Sequence, residues 1–227
     1  QTCIAPDYVL LDSRIQDSFI NLLRAEIKKL FGDGRDIDET SSSYSRLATE
    51  RQFSRMATLI ADAVERGATA ERLGPENKTE NFLAPVLLTH VPPDARIWEE
   101  EIFGPVLPIQ AYETPEEAAA FINRGPKPLA LYIFSRRREY QEYFLQQTSS
   151  GTACINDCVL QFTHPNLPFG GVNQSGIGKS HGRYGFLAFS NQKPVLRQKR
   201  GWAGPYLLHP PYTKRMKVIV DALLKWF

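Results

Sequence analysis

Cys3 lies in the run Gln1-Thr2-Cys3-Ile4-Ala5-Pro6-Asp7-Tyr8 and offers the chain's sharpest chemistry, covalent attack on a carbonyl. A cysteine does this as the thiolate, held in a pocket and facing a group that stabilises the oxyanion. Two preceding residues do not build such a pocket, and the chain does not open on Met. The expectation is the C-terminal part of a longer enzyme, starting almost at its nucleophile. The competing reading is an inert, buried cysteine. A cysteine hydrolase is a third reading, and it would need a base from His90, His164, His181 or His209.

Two further stretches bear on chemistry. Glu99-Glu100-Glu101-Ile102-Phe103-Gly104-Pro105 joins three acids to an aromatic ring and a Gly-Pro turn. Either the acids form a solvated loop over a core phenylalanine, or a carboxylate receives ribose hydroxyls while the ring flanks a planar cofactor. Gly178-Lys179-Ser180 copies the end of a phosphate-binding loop, but the glycine required five residues before Gly178 is Asn173, and no apolar strand leads in. The glycines around Phe169 point instead to close approach of the backbone to another segment or a ligand.

With 42% hydrophobic, 23% charged and 11% aromatic residues in 227, the chain has the make-up of a globular protein able to bury a sizeable core. A net charge of +2 sets no electrostatic theme. Its basic clusters, at Arg136-Arg137-Arg138 and between Arg197 and Arg200, lack interleaved aromatics, so no nucleic-acid partner is expected. Cys154 and Cys158 have no second ligand pair at zinc spacing, so no metal is expected, and three unpaired thiols suit a cytoplasmic compartment. No apolar run approaches the roughly 20 residues that span a bilayer.

The elements that must position these residues alternate. A strand at 8–11 precedes a helix from about Asp12, with Ser13 as cap and Phe19, Ile20, Leu23, Ile27 and Leu30 on one face, stopped by Gly32-Asp33-Gly34. A second helix over 49–66 aligns Phe53, Met56, Leu59, Ile60 and Val64, and Gly67 ends it. Strands follow at 86–89 and 106–109, and Thr114-Pro115-Glu116-Glu117 opens another helix. The continuous apolar run 129–134 predicts a strand covered on both faces, followed by a helix over 137–147 and a buried strand over 152–156. Together these predict an α/β fold, a mostly parallel sheet flanked by helices. From Lys214, a helix places Met216, Ile219, Val220, Leu223, Leu224 and Phe227 on one side. It docks on the protein or across a dimer, or makes peripheral membrane contact with anionic lipid.

Taken in order, these segments resemble the class 3 aldehyde dehydrogenases, the group with the fatty aldehyde dehydrogenases. The likeness runs through 1–8, Tyr44-Ser45-Arg46-Leu47 with Phe53-Ser54-Arg55, Ala84-Pro85-Val86-Leu87, 100–109, Lys127 to Tyr132 and Leu167-Pro168-Phe169-Gly170-Gly171-Val172. The resemblance implies oxidation of an aldehyde to a carboxylic acid with NAD or NADP, through a thiohemiacetal and thioester on Cys3. It implies that Glu101 binds the nicotinamide ribose and Phe103 lies against the nicotinamide. Asn156 would steady the cysteine loop, with Phe169 supporting the active site. It further implies a catalytic domain over 1–193 lacking its opening segment, an oligomerisation strand and amphipathic tail over 194–227, a largely absent cofactor domain, and a homodimer in the intact enzyme. The general base and oxyanion donor are expected upstream, so the chain alone is expected to be inactive, a truncated module that pairs with a missing half. Asn173, in place of a glycine, and Ser180, in place of a tyrosine, depart from the pattern, and His181 is expected to be structural.

Overall fold

A computed structural model describes residues 1–198, 210 and 212–226. Strand β1 (Val9–Asp12) leads into a short 3-10 turn, Ser13–Ile15, and then helix α1 (Gln16–Phe31). The cap is Asp12 rather than Ser13, because the strand ends with the Asp12 carboxylate beside the Arg14 N–H, which donates to it at 3.0 Å. Helix α2 (Glu50–Glu65) begins at Thr49, whose hydroxyl accepts the Gln52 N–H at 3.2 Å. Strands β2 (Thr69–Arg72), β3 (Glu76–Asn77), β4 (Phe82–Leu83), β5 (Val86–Thr89) and β6 (Val106–Tyr112) follow. Helix α3 (Pro115–Arg124), strand β7 (Ala130–Ile133), helix α4 (Arg138–Gln147) and strand β8 (Thr152–Ile155) complete the alternation. Two short helices, α5 (Leu160–Thr163) and α6 (Gly182–Ala188), close the first unit, Gln1–Phe189.

The main sheet has the order β1-β6-β5-β2. β1 and β6 run parallel with Val9 opposite Ile109, β5 and β6 run parallel with Val86 opposite Val106, and β2 pairs antiparallel at the edge. Helices cover both faces, and this is why β5 reads as unbroken Val-Leu-Leu. Val86 and Leu88 pack with Phe53, Met56, Leu59 and Ile60 of α2, while Leu87 joins Leu11, Leu73 and Ile109 against Phe19, Ile20, Leu23 and Ile27 of α1. This is the predicted α/β architecture, dominated by parallel pairing.

Three apolar positions behave differently from their spacing. Ala63, not Val64, completes the buried stripe of α2, because at about 100° per residue position 63 falls mid-stripe and 64 at its border. Leu30 is exposed in the last turn of α1, and Phe31 covers the core in its place, edge-on to Tyr44 at 5.7 Å. Among the described residues the run 129–134 is not covered on both faces, and β7 pairs only with β8, in a two-stranded parallel sheet whose covered side meets α3 and α4 through Ile122 and Phe144, so Ile133 is buried while Phe134 is 66% exposed. β8 is half-buried for the same reason, with Ile155 exposed.

The second unit, Ser190–Phe227, contains helix α7 (Lys214–Leu224), whose N-terminus is capped by the Thr213 hydroxyl. Most of the oligomerisation strand expected over 194–208 lies outside the described residues, as does Phe227. Among the described residues no helix is long and apolar enough to cross a membrane.

Candidate active site

Four contacts tie down the segment ahead of β1. Gln1 donates through Nε2 to the Arg46 carbonyl at 3.1 Å and accepts the Ala48 N–H at 3.3 Å. A turn closes where the Ala5 N–H donates to the Thr2 carbonyl at 3.0 Å, with Cys3 and Ile4 at its crown. Ile4 is buried, and its carbonyl accepts the Tyr132 hydroxyl at 2.6 Å. Cys3, by contrast, is exposed. The apolar neighbour thus fixes the turn while the thiol stays accessible, which is the disposition a nucleophile needs.

The fourth contact joins this segment to the acidic loop ahead of β6. Asp7 Oδ1 accepts the Ile102 N–H at 2.9 Å, across 95 positions of sequence. Burial pushes the Asp7 carboxyl above the usual carboxylate range, and the neighbouring Glu101 charge adds to this, while the Ile102 and Phe103 amides and Arg55 pull the other way. Arg55 Nη1 donates to the Glu101 carbonyl at 2.9 Å and Nη2 to the Ile102 carbonyl, and Gln52 Nε2 donates to the Phe103 carbonyl at 3.0 Å. Ile102 is buried beneath. At Gly104 a Cβ would meet Met56 Sδ at 2.5 Å, so the loop lies close against α2 and a larger residue there would displace the buried Met56 side chain. Held from below, the loop presents its outward groups. Phe103 has a left-handed φ of 52° and is 38% exposed, and Glu101 is exposed, with no ion pair to its carboxylate among the described residues. A fixed, uncompensated carboxylate beside an accessible ring suits a polyhydroxylated, planar ligand, so these residues fit the ribose and nicotinamide of NAD(P).

The other two expected residues sit elsewhere. Asn156, with a left-handed φ of 58°, accepts the Ser135 N–H on its Oδ1 at 2.9 Å. It therefore ties the end of β8 to the turn after β7. The cysteine turn is bonded by Tyr132, whose oxygen in turn accepts Gln161 Nε2 at 3.2 Å, with Gln161 buried at 7% exposure. Phe169 stacks on His181 at 5.4 Å and meets Phe162 edge-on at 4.8 Å, so His181 serves as a packing ring here.

The glycine-rich stretch is a closed structural knot. Phe169 and Ser180 exchange backbone hydrogen bonds of 3.1 and 2.7 Å. A Cβ at Gly151 would lie 2.5 Å from the Gly170 carbonyl, and one at Gly171 would lie 2.0 Å from that of Ser175. Lys179 Nζ donates to the carbonyls of Gly151, at 2.8 Å, Gly170 and Gly171, so its ammonium is committed to backbone and not to a phosphate. Lys179→Met is expected to lower unfolding free energy by about 1.5–3 kcal/mol, since it leaves carbonyls without their charged donor. Urea unfolding checks this, and a change below the error of that measurement would contradict the knot. Asn173 has a φ of 54°, a conformation that asparagine tolerates where most residues other than glycine do not.

Gln52 and Gln161 were not singled out from the sequence, and Asp7, Arg55 and Tyr132 stood only within matched motifs. They carry the tertiary hydrogen bonds of the site, and no local spacing announces partners 29 to 128 residues away.

The aldehyde dehydrogenase family model matches residues 1–195. The chain is 42% identical over 198 residues to the putative aldehyde dehydrogenase AldX of Bacillus subtilis, spanning 87% of this chain and 44% of that protein. It is 38% identical over 215 residues to aldehyde dehydrogenase family 3 member A2 of Mus musculus, 94% of this chain and 43% of that one. Its backbone resembles that of AldH of Staphylococcus aureus in a substrate-bound state, with a TM-score of 0.80 and 35% identity over 98% of this chain and 47% of the other. The chain spans under half the length of these relatives.

Proposed function

Since this chain belongs to the aldehyde dehydrogenase family, we propose that it carries the nucleophile and the nicotinamide-side cofactor contact for oxidation of an aldehyde to a carboxylic acid. The observation that supports this reading most is the hydrogen-bonded junction of the Cys3 segment with the Glu101–Phe103 loop through Asp7 and Ile102. An exposed thiol and an exposed carboxylate-and-ring pair are thereby held in one register, as a reaction between a cysteine adduct and a planar cofactor requires.

In this reading Cys3 Sγ forms a bond to the aldehyde carbon as the carbonyl electron pair moves to oxygen, giving a thiohemiacetal. Its oxidation leaves a thioester on Cys3, and water releases the acid and regenerates the thiol. When bound, NAD or NADP supplies the two-electron acceptor. Glu101 accepts ribose hydroxyls, and the Phe103 ring restricts how a planar group lies beside it. Tyr132 and Gln161 hold the backbone of the cysteine turn, while Asn156 and the Phe169 cluster stiffen the segments after β8. Residues 1–193 form the catalytic domain and 194–227 an oligomerisation strand with an amphipathic tail, used in a homodimer. The resemblance of the ordered motifs to the group with the fatty aldehyde dehydrogenases points to fatty aldehydes as substrates.

The test is an assay of a polypeptide with the relatives' length that includes this chain. The expected outcome is cofactor reduction on adding a medium-chain aldehyde with NAD or NADP, and none from the 227 residues alone. Ester hydrolysis without cofactor reduction would favour a cysteine hydrolase. Silence in both polypeptides would favour a module without turnover of its own.

A further inference from the structure

The junction that supports the proposed function rests on one side chain. Asp7 lies between the Cys3 turn and β1, and its carboxylate is directed at the amides of Ile102 and Phe103, in the loop that leads into β6. Arg55 and Gln52 grip the carbonyls of the same loop from α2. The loop's amides are therefore held by the nucleophile's segment and its carbonyls by a helix that makes no bond to that segment's turn. Removing the helix contacts would loosen the loop. Removing Asp7 would uncouple it from the thiol.

Resting on the aldehyde dehydrogenase reading above, we infer that Asp7 is a positioning residue: its carboxylate, by holding the Ile102 amide, sets where the cofactor-facing Glu101 and Phe103 stand relative to Cys3. A carboxylate receiving a backbone N–H is a stronger and more directional tie than apolar contact. It also acts at the single residue pair where the two site segments exchange a side-chain hydrogen bond. Tyr8, next in sequence, is half-buried and edge-on to Trp98 and Phe121 at 5.9 and 5.5 Å, so the main chain at Asp7 has little freedom to relax if the bond is lost. An ordinary structural cap would affect stability alone. A positioning residue also changes cofactor use.

The experiment compares Asp7→Ala and Asp7→Asn in the polypeptide of the relatives' length. Asn keeps an oxygen at the same reach, while Ala removes it. In Asp7→Ala, amide exchange at Ile102 and Phe103 is expected to quicken about tenfold, the factor that one lost hydrogen bond represents, with the Leu88 amide of the core unchanged. KM for the nicotinamide cofactor is expected to rise by about the same factor while kcat falls less, and Asp7→Asn should restore most of both. Unchanged exchange at Ile102 in Asp7→Ala would overturn the proposal. So would faster exchange with an unaltered cofactor KM, which leaves only a structural cap. If Asp7→Ala does not fold, Asp7→Glu decides: it shifts the oxygen by one methylene and should raise the cofactor KM above that of Asp7→Asn, and equality of the two would overturn the proposal. The exchange readout needs no turnover. Absence of aldehyde oxidation in the unaltered polypeptide would sink the functional reading alone, while unaltered exchange in Asp7→Ala would sink the positioning role alone.

Discussion

Replacing Cys3 with alanine in a polypeptide of the relatives' length is expected to lower kcat for aldehyde oxidation by roughly 10⁴-fold or more, the scale seen when a covalent nucleophile is removed. The loss should fall on kcat, because the thiohemiacetal and thioester both require a bond to this sulfur. Cys3 is exposed on a turn fixed by other groups, namely Ile4 burial, the Tyr132 hydroxyl and the Gln1 amide, so the substitution should leave unfolding free energy almost unchanged. Cys154 and Cys158 provide the contrast. Both are half-buried, and burial raises the Cys158 thiol above its ordinary value, away from thiolate character. Alanine at either position should keep most of the turnover. Steady-state assays of the three variants side by side check this, and retained turnover in Cys3→Ala would remove the basis of the proposed mechanism.

The second large effect is expected at Phe82, on stability. Phe82 is fully buried, and its ring lies edge-on to Tyr44 at 5.8 Å with the Arg46 guanidinium 4.7 Å from its centroid. Phe82→Ala should cost about 3–5 kcal/mol, from lost transfer energy together with a cavity that β4 and the strip over 44–47 cannot fully close. The effect reaches the site, since the Arg46 carbonyl accepts the Gln1 side chain two residues before the nucleophile. Denaturant unfolding measures the first consequence, and faster exchange of the Ala48 amide, which donates to Gln1, measures the second. A cost under about 1 kcal/mol would mean that this cluster is not packed as described.

Phe82 also explains the motif over 44–47. Tyr44 packs on that ring and donates its hydroxyl to the Leu83 carbonyl at 2.8 Å, while Arg46 lies over the ring and Leu47 is buried against α2. Residues that looked like parts of a functional signature build the ledge on which the cysteine segment rests.

Much of the framework was legible in the chain itself. The Thr114 cap, the glycine stop at Gly67, the apolar stripes of α1 and α2 and the unbroken Val-Leu-Leu of β5 follow from hydrogen-bond satisfaction and from side-chain periodicity, which act over a few residues. The thiol and the acid-and-ring loop stood out in the sequence, but their types alone left an inert cysteine and a solvated loop open, and only the resemblance gave them the roles proposed here. Exposure was less legible. β7 is as apolar as a central strand yet sits in a two-stranded sheet, and periodicity carries no information on how many neighbours a strand has. The Asn156 carboxamide accepts the Ser135 N–H and the Ile4 carbonyl accepts the Tyr132 hydroxyl, and neither pairing follows from the residues nearby in sequence.

The chain alone determined most segments of helix and strand and marked out the candidate reactive groups, since local sterics, caps and apolar spacing act between near neighbours. Only the tertiary structure decided which half-buried polar groups hold those candidates in place. Asp7 on Ile102, Arg55 on Glu101 and Tyr132 on Ile4 are bonds between residues far apart in the chain. A buried donor or acceptor must find a partner, but which partner it meets is settled by how helices and sheet pack, not by its neighbours in sequence.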